Sequence, residues 1–396
     1  MTNRRSIVFV VLSFVAMFTN PVFADQEATM KFCSKQRALG ISLLKSSKEQ
    51  GNRVLSPLSI HAALMLARSG ATGDTANELD KVLFDATFSP ELLNTYKNFQ
   101  TLIQGERKNV LVRGANSIWM NLDVLVKPQF EILAKDIFSA SVTSVDFSKS
   151  EETRKIINQW VSTQTKNRIP ELIPQNGLSP QSIGALVNAL YFKAPWASPF
   201  DEGATLPDNF YVSEAESVSV PMMQTLETLP WYEDNLWSAI RLPYEDGDFS
   251  MAILLPKERL SAQELSNRLS PELVTELLAK NNRERVIVKM PKFSIRSPME
   301  LRTALEHLGI KQLFSSEAKL DQISNEPLII TDVLHEGFIE VNEHGTEAAA
   351  ATALMVARSA AFATTPKYFT ADHPFMFMVL HESSGAPLFM GIVNKP

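Results

Sequence analysis

The amino-acid sequence predicts an α+β fold, because helical patterns dominate its first half and strand patterns accumulate in its second half. The composition agrees with a globular protein, since the 396 residues are 45% hydrophobic and 21% charged. No Pro/Gly-rich linker, internal repeat or long charge block divides the chain, although its length alone favours two or three domains.

Six helices are predicted from capping residues and from apolar side chains at helical spacing. The clearest begins at Ser56-Pro57, where Ile60, Ala63, Leu64 and Ala67 form one apolar face. The others are expected at Thr75–Glu78 and beyond, Ser89 to about Gln104, Glu151–Thr165, Ser261–Glu264 and beyond, and Ser270–Glu272 and beyond.

Strands are predicted where apolar or alternating runs are separated by turn residues. These runs are Val110–Met120, Ala185–Phe192, Ser217–Met223, Ser238–Leu242, Phe249–Leu255, Val286–Ile295, His335–Val341, Phe375–His381 and Pro387–Val393.

Charge and cysteine content exclude several classes of function. The formal net charge of −6 argues against nucleic-acid binding, which is usually accompanied by a basic excess. A single cysteine, Cys33, excludes internal disulfides and cysteine-based metal sites, and we expect no metal or cofactor. The helix predicted at 89–104 contains only Lys97 as a basic residue, so heparin binding is not expected.

Residues 1–24 resemble a secretory signal peptide. Arg4 and Arg5 precede the apolar run Ile7–Phe18, and Val22-Phe23-Ala24 provides small residues at a cleavage site. No other apolar run approaches the length of a membrane span, so no membrane partner is expected. The pattern predicts a secreted, extracellular protein of residues 25–396, periplasmic or surface-located if the source is bacterial.

No motif of a known enzyme class occurs in the sequence. The chain lacks a Gly-x-Ser-x-Gly elbow, a phosphate-binding P-loop and a dinucleotide-binding glycine motif. His381-Glu382 begins like a zinc-protease helix but is not followed by a second histidine. We therefore predict that the protein is not an enzyme, although a triad assembled from distant residues is compatible with the spacing.

The most unusual segment is the alanine-rich run 345–357. Its composition favours a helix, yet it lies between strand-like segments that end near Glu343 and begin near Tyr368. In a strand, small or apolar side chains would face one side, and the charge of Glu347 would face the other. Such a loop can enter an existing sheet as an added strand without overpacking it or burying a charge.

At this segment the sequence resembles the serpin family, and the resemblance extends over residues 30–396. The matching residues of the hinge are Glu343, His344, Gly345, Thr346, Glu347, Ala348, Ala349, Ala350, Ala351 and Thr352. Other matching stretches follow in the family's order: Ser56–Ile60, Gly70–Thr75, Asn158–Val161, Lys166–Ile169, Val187–Trp196, His373–Phe375 and Pro387–Gly391.

The resemblance implies one domain over residues 25–396, with three β-sheets, about nine helices and an exposed reactive-centre loop at about 343–370. It implies a suicide substrate: a serine protease cleaves the loop, becomes acylated, and is trapped in a covalent 1:1 complex when the loop inserts. It also implies a monomer. Ser56, Ser59, Asn188 and His335 match the shutter, and Trp196 matches the breach.

The scissile bond has two candidate positions. The usual interval from Glu343 gives Ser359–Ala360, which suits elastase-like or subtilisin-like proteases, whereas a register one residue shorter gives Arg358–Ser359. We favour Arg358–Ser359 because an exposed arginine is what trypsin-like proteases select, and Phe362 remains a chymotrypsin-type option. The alternative function is a non-inhibitory carrier or chaperone of the same family, which the unbroken Ala348–Ala351 run disfavours.

Overall fold

The computed structural model describes residues 21–46, 51–84, 88–107, 109–279, 282–347 and 365–396, with side chains from residue 28 onward. These residues contain nine α-helices. They are α1 (Pro21–Ser46), α2 (Pro57–Gly70), α3 (Gly73–Leu83), α4 (Pro90–Ile103), α5 (Pro128–Phe138), α6 (Ser150–Gln164), α7 (Ala262–Arg268), α8 (Pro271–Ala279) and α9 (Arg302–His307).

Sixteen strands complete the described part of the fold. They are β1 (Arg53–Leu55), β2 (Gly105–Arg107), β3 (Val110–Asn121), β4 (Ala140–Val145), β5 (Gly184–Pro195), β6 (Leu206–Tyr211), β7 (Ser217–Glu233), β8 (Trp237–Pro243), β9 (Phe249–Pro256), β10 (Arg283–Pro291), β11 (Phe293–Glu300), β12 (Asp332–Asn342), β13 (Gly345–Thr346), β14 (Lys367–Thr370), β15 (Phe375–His381) and β16 (Ala386–Val393).

Seven strands form the main sheet, in the order β2-β3-β5-β13-β12-β11, with β4 paired to β3. The other nine form one continuous path that contains two sheets, because β7 is 17 residues long and takes part in both. Its first part pairs with β6 and β10, whereas its last three residues pair with β8. The expectation of an α+β fold with three sheets is confirmed.

The main sheet is covered on both faces. Helix α2 contacts β3 and β5 and contributes to the larger hydrophobic core. On the opposite face, α6 places Ile157 and Val161 in a second core against Trp119 and Val187. Any rearrangement of the central strands therefore occurs between two packed layers.

Predicted helix starts are confirmed where a side chain caps the backbone. Ser56 and Ser89 are N-caps, and Ser261 forms a capping box with Glu264. The capping box predicted at Thr75 and Glu78 is wrong, since α3 begins earlier.

Thr75 and Glu78 instead bind a neighbouring segment. The hydroxyl of Thr75 accepts from the Lys319 amide at 3.0 Å, and the Glu78 carboxylate accepts from the amides of Lys311 and Gln312 at 2.6 and 2.7 Å. The side chains that the local pattern predicts to cap a helix therefore accept hydrogen bonds from backbone amides far away in the sequence.

The single strand predicted at Val286–Ile295 is also wrong. The chain leaves β10 at Pro291, passes through Lys292 and enters the main sheet as β11. Apolar alternation continues across this change of sheet, so periodicity alone does not detect it.

Candidate functional site

The two central strands of the main sheet are paired over only part of their length. β5 and β12 are parallel and paired from Ala185 opposite Asp332 to Ala189 opposite Glu336. Beyond this point β13 lies between them, antiparallel to both. The sheet therefore has a closed half and a parted half.

The two residues of β13 pair with both neighbouring strands. Thr346 lies opposite Val341 of β12 and Ala194 of β5. Just beyond β13, the Glu347 amide donates to the Glu340 carbonyl oxygen at 3.0 Å. The described part of the predicted hinge is Glu343–Glu347, and within it Gly345 and Thr346 form a strand as the alternating pattern predicted.

Gly345 is required by the close approach of β5. Its φ is +147°, and a Cβ atom added there would lie 2.2 Å from the carbonyl oxygen of Ala194. An L-residue with a side chain is strained in this conformation and has no space for that side chain. The glycine predicted in the hinge therefore permits β13 to enter between its neighbours.

Trp196, the predicted breach residue, lies at the parted end of β5. Its ring stacks on Tyr244 with centroids 4.6 Å apart and an interplanar angle of 7°. Its Nε1 atom donates to the Asn342 carbonyl oxygen at 2.9 Å, which fixes the end of β12. The Tyr244 hydroxyl lies 2.7 Å from Oγ1 of buried Thr346, so this aromatic pair contacts the hinge directly.

The chain between β12 and β13 is held by charged contacts. Glu343 accepts from Nζ of Lys292 at 2.9 Å and from the Thr205 hydroxyl at 2.8 Å. Burial raises the pKa of Glu343, but these hydrogen bonds outweigh it and hold the pKa below its usual range. Nε2 of His344 lies 2.8 Å from the Glu202 carboxylate.

On the face covered by α6, Glu347 is the buried charged residue of the hinge. Its side chain is 2% exposed, and Oε1 lies 3.5 Å from Nε of Arg168, in the chain that follows α6. Burial raises the pKa of Glu347, whereas the Tyr191 hydroxyl and Arg168 lower it. Glu347 faces away from Thr346, which contacts Tyr244, as the alternating pattern predicted. The expectation that an inserted hinge buries no charge is wrong, because the Glu347 carboxylate is buried beside Arg168.

The four predicted shutter residues form one hydrogen-bonded cluster. The Ser56 amide donates to Nε2 of His335 at 3.0 Å, so Nδ1 of that ring holds the proton and donates to Oδ1 of Asn188 at 2.5 Å. The same Oδ1 accepts from the Ser59 hydroxyl at 3.1 Å, and Ser56 Oγ accepts from the Ser59 amide at 3.1 Å.

This cluster lies under the closed half of the sheet. Asn188 and His335 face each other on β5 and β12, while Ser56 and Ser59 belong to the start of α2. All four are buried, and burial lowers the pKa of His335 to about 3, so the ring is neutral. The cluster therefore joins both central strands to the helix beneath them.

Several predicted positions lie outside the described residues. They are Ala348, Ala349, Ala350, Ala351 and Thr352 of the hinge, and Arg358, Ser359, Ala360 and Phe362 of the candidate reactive bonds. Within the described residues, no group of three or more His, Cys, Asp or Glu side chains is arranged to hold a metal ion. No helix in the same ranges is long and apolar enough to cross a membrane.

Sequence reasoning missed the residues that contact the hinge from distant parts of the chain: Tyr244, Arg168, Lys292 and Thr205. Each belongs to another strand or loop, and although Arg168 lies in the matching stretch Lys166–Ile169, no contact with the hinge was predicted from it. Their roles depend on side-chain distances that a spacing pattern does not contain.

The sequence matches one protein family over most of its length. Residues 34–396 match the family model described as "Serpin (serine protease inhibitor)". The chain is 33% identical over 364 residues to human leukocyte elastase inhibitor, covering 89% of this chain and 95% of that protein. It is 34% identical over 372 residues to wheat (Triticum aestivum) Serpin-Z2A, covering 90% of this chain and 93% of that protein.

A solved structure agrees with these sequence matches. Serpin48 of the insect Tenebrio molitor, described as a highly specific serpin, superposes with a TM-score of 0.82 at 30% identity. The superposition covers 94% of this chain and 98% of the insect protein.

Proposed function

The chain belongs to the serpin family, which includes named protease inhibitors, and we propose that it inhibits a serine protease as a suicide substrate. The observation that supports this proposal most directly is β13, which already lies between the parted strands β5 and β12. Loop insertion would then begin by lengthening a strand that is already in place.

The register of β13 supports the same route. Both of its pairings are antiparallel, so each later loop residue would meet an earlier residue of β5 and of β12. If this register continued without a shift, Ala348–Ala350 would lie opposite Leu190–Phe192 of β5 and Gly337–Ile339 of β12. These two segments of β5 and β12 are not paired with each other. Alanine side chains fit such a site without overpacking the two covered faces.

Further insertion would reach the closed half. In the same register, Ala351 would meet Ala189 and Glu336, the last pair of the parallel ladder. Entry beyond this point requires β5 and β12 to separate at Asn188 and His335. The proposed mechanism therefore makes the shutter the barrier to complete insertion.

The chemical step is acylation of the protease. Its serine oxygen attacks the carbonyl carbon of Arg358, the bond to the Ser359 nitrogen breaks, and that nitrogen leaves as an amine. The product is an ester between the protease and the chain that ends at Arg358. Insertion then moves the esterified protease and distorts its active site before water can hydrolyse the ester, and each new strand pairing lowers the free energy.

Arg358–Ser359 is the bond that we propose, which makes a trypsin-like protease the favoured target. Ser359–Ala360 would direct the inhibitor to elastase-like or subtilisin-like proteases, whose pockets accept small side chains. Human leukocyte elastase inhibitor, a relative of this chain, has a name that refers to such a protease. The two registers therefore predict different targets.

The test is incubation of the protein with trypsin and, separately, with an elastase. An SDS-stable 1:1 complex is expected, and mass spectrometry of the released peptide should give residues 359–396 for cleavage after Arg358. Cleaved protein should also unfold at a higher temperature than intact protein. Cleavage with neither a complex nor a rise in thermal stability would refute the proposal and favour a non-inhibitory carrier or chaperone.

We also propose that the protein is exported and that residues 1–24 are removed as a leader. Sequencing the amino terminus of the protein recovered from the medium or periplasm of expressing cells should give Asp25 as the first residue. Recovery of a chain that starts at Met1 inside the cell would refute export.

A further inference from the structure

A buried carboxylate lies where β13 ends. One oxygen of Glu347 contacts Arg168, and the other, Oε2, has no hydrogen-bond partner among the described residues. Burial is the largest influence on Glu347 and raises its pKa. The Tyr191 hydroxyl and Arg168 lower the pKa, the Glu340 charge raises it, and Lys193 adds only a weaker attraction. A charge in this position needs a cation in contact with it, which Arg168 supplies.

Arg168 contacts both strand β12 and the hinge. Its Nη1 atom lies 3.8 Å from Oε2 of Glu340 on β12, while its Nε atom faces Glu347. The backbones of the same two glutamates are joined by the 3.0 Å hydrogen bond from the Glu347 amide to the Glu340 oxygen. One guanidinium group therefore spans the edge between β12 and the inserted hinge.

The position of Arg168 is fixed by an unusual turn after α6. Lys166 and Asn167 have φ values of +51° and +63°, in the left-handed region that residues other than glycine rarely adopt. The Asn167 amide donates to the Ser162 carbonyl oxygen at 2.7 Å, and the Ser162 hydroxyl donates to Oδ1 of Asn167 at 3.0 Å. These bonds hold the turn and direct the following residue toward the hinge.

Glu347 itself is left-handed, with φ of +51°. A left-handed residue ends an extended strand, so β13 stops after Thr346. For Ala348 to enter the sheet, the backbone of Glu347 must become extended. The structure therefore shows a partly inserted hinge, with two strand residues between β5 and β12 and a left-handed Glu347 directly after them.

We propose that Arg168 is a positioning residue that stabilises this partly inserted hinge by compensating the buried charge of the Glu347 carboxylate beside β12. The proposal rests on the proposed function, because it concerns the first step of loop insertion. Arg168 makes the partly inserted hinge the favoured state before any protease binds. The hinge then starts insertion from within the sheet rather than from solution.

Because Arg168 compensates the buried charge of Glu347, substitutions of these two residues should have different effects on the hinge. Arg168→Gln leaves Glu347 buried without its cation, so the hinge should leave the sheet. Glu347→Gln removes the charge that needs compensation, and the double variant Arg168→Gln/Glu347→Gln should keep the hinge in place. Arg168→Lys should restore part of the effect, while Lys155→Gln removes a charge from exposed α6 surface as a matched control.

Amide hydrogen exchange of the peptide spanning residues 340–347 reports hinge insertion without any protease. Arg168→Gln should accelerate exchange there by about tenfold, since it leaves a buried charge unpaired. Glu347→Gln, the double variant and Lys155→Gln should remain within about threefold of wild type. The stoichiometry of trypsin inhibition, measured on the same proteins, should rise only in Arg168→Gln and, less, in Arg168→Lys.

The outcomes separate the two proposals. Unchanged exchange in Arg168→Gln would overturn the positioning role, as would equal acceleration in Arg168→Gln and in the double variant, which would indicate a role independent of Glu347. The expected exchange pattern without any covalent complex from wild-type protein would refute the inhibitory function and leave the positioning role supported.

Discussion

His335 and Asn188 face each other across β12 and β5, one residue pair before the two strands part. Their side chains are hydrogen bonded, and Asn188 Oδ1 accepts from both His335 and Ser59. A single amide oxygen thus joins two strands and a helix at the edge of the closed half. The first prediction follows from the loss of that oxygen.

Asn188→Ala leaves two buried donors, on His335 and Ser59, without an acceptor. We expect a loss of about 2–4 kcal/mol in the free energy of unfolding, measured by urea titration. Asn116→Ala is the matched control, because Asn116 is a buried asparagine opposite Asn188 on β3 whose amide makes one long contact of 3.5 Å. Equal losses in the two variants would contradict a special role for the shutter.

The neutral, buried His335 predicts a loss of stability in acid. Its pKa is lowered to about 3 by burial, whereas an unfolded histidine titrates near 6.5. As the pH falls below 6.5, only the unfolded chain takes up this proton. The free energy of unfolding should therefore fall by about 1.4 kcal/mol per pH unit from this group until the folded pKa is reached.

His335→Gln keeps one donor and one acceptor but does not titrate. The difference in unfolding free energy between wild type and this variant should shift by about 1.4 kcal/mol per pH unit between pH 6 and pH 4, in favour of the variant at low pH. His307→Gln, the same substitution at an exposed position, is the matched control. Parallel pH profiles for wild type and His335→Gln would contradict a neutral buried ring.

Thr346→Arg should convert the proposed inhibitor into a substrate. Thr346 is buried with its hydroxyl against Tyr244, and a guanidinium group at this position would have to enter the inner face of the main sheet. The stoichiometry of trypsin inhibition should rise by about tenfold or more as cleavage outruns insertion. Thr346→Val, similar in shape, should retain inhibition, and retained inhibition by Thr346→Arg would refute insertion along this face.

Gly345→Ala should expel the hinge with little effect on the rest of the fold. The added Cβ would collide with the Ala194 carbonyl oxygen, and φ of +147° is unfavourable for alanine. Hydrogen exchange in residues 340–347 should accelerate by about tenfold or more, with a nearly unchanged unfolding midpoint. Gly51→Ala, where a Cβ meets nothing within 4 Å, is the control; slow exchange in Gly345→Ala would contradict the steric argument.

Local chemistry predicted much of the fold. Ser56, Ser89 and Ser261 cap helices as expected, because a side-chain oxygen three residues before a free amide acts within one turn. Helix α5 and strand β4 were missed, and the sheet change at Lys292 was read as continuous strand. Those features depend on tertiary pairing that apolar periodicity does not encode.

The parts of the site that depend on neighbouring residues in the sequence were predictable. The small residues around Gly345, and Glu347 on the face opposite Thr346, predicted a strand that can enter a sheet. By contrast, the ring stack of Trp196 on Tyr244 and the contact of Arg168 with Glu347 join residues far apart in sequence. Without the family resemblance, His335 would have been taken for an ordinary buried polar residue.

The attachment of β14 to β10 has a kinetic consequence for the proposed cleavage. Lys367–Thr370 is paired in parallel with Val286–Lys289, and Lys292, just after β10, holds Glu343 at the start of the loop. Strand β10 and the residue that follows it therefore hold the chain on both sides of the proposed scissile bond. After cleavage, insertion would carry Arg358 away with the main sheet while Ser359 stayed attached to β14. The new amine could no longer reach the ester, so its effective concentration would fall and religation would be suppressed, making the reaction one-way.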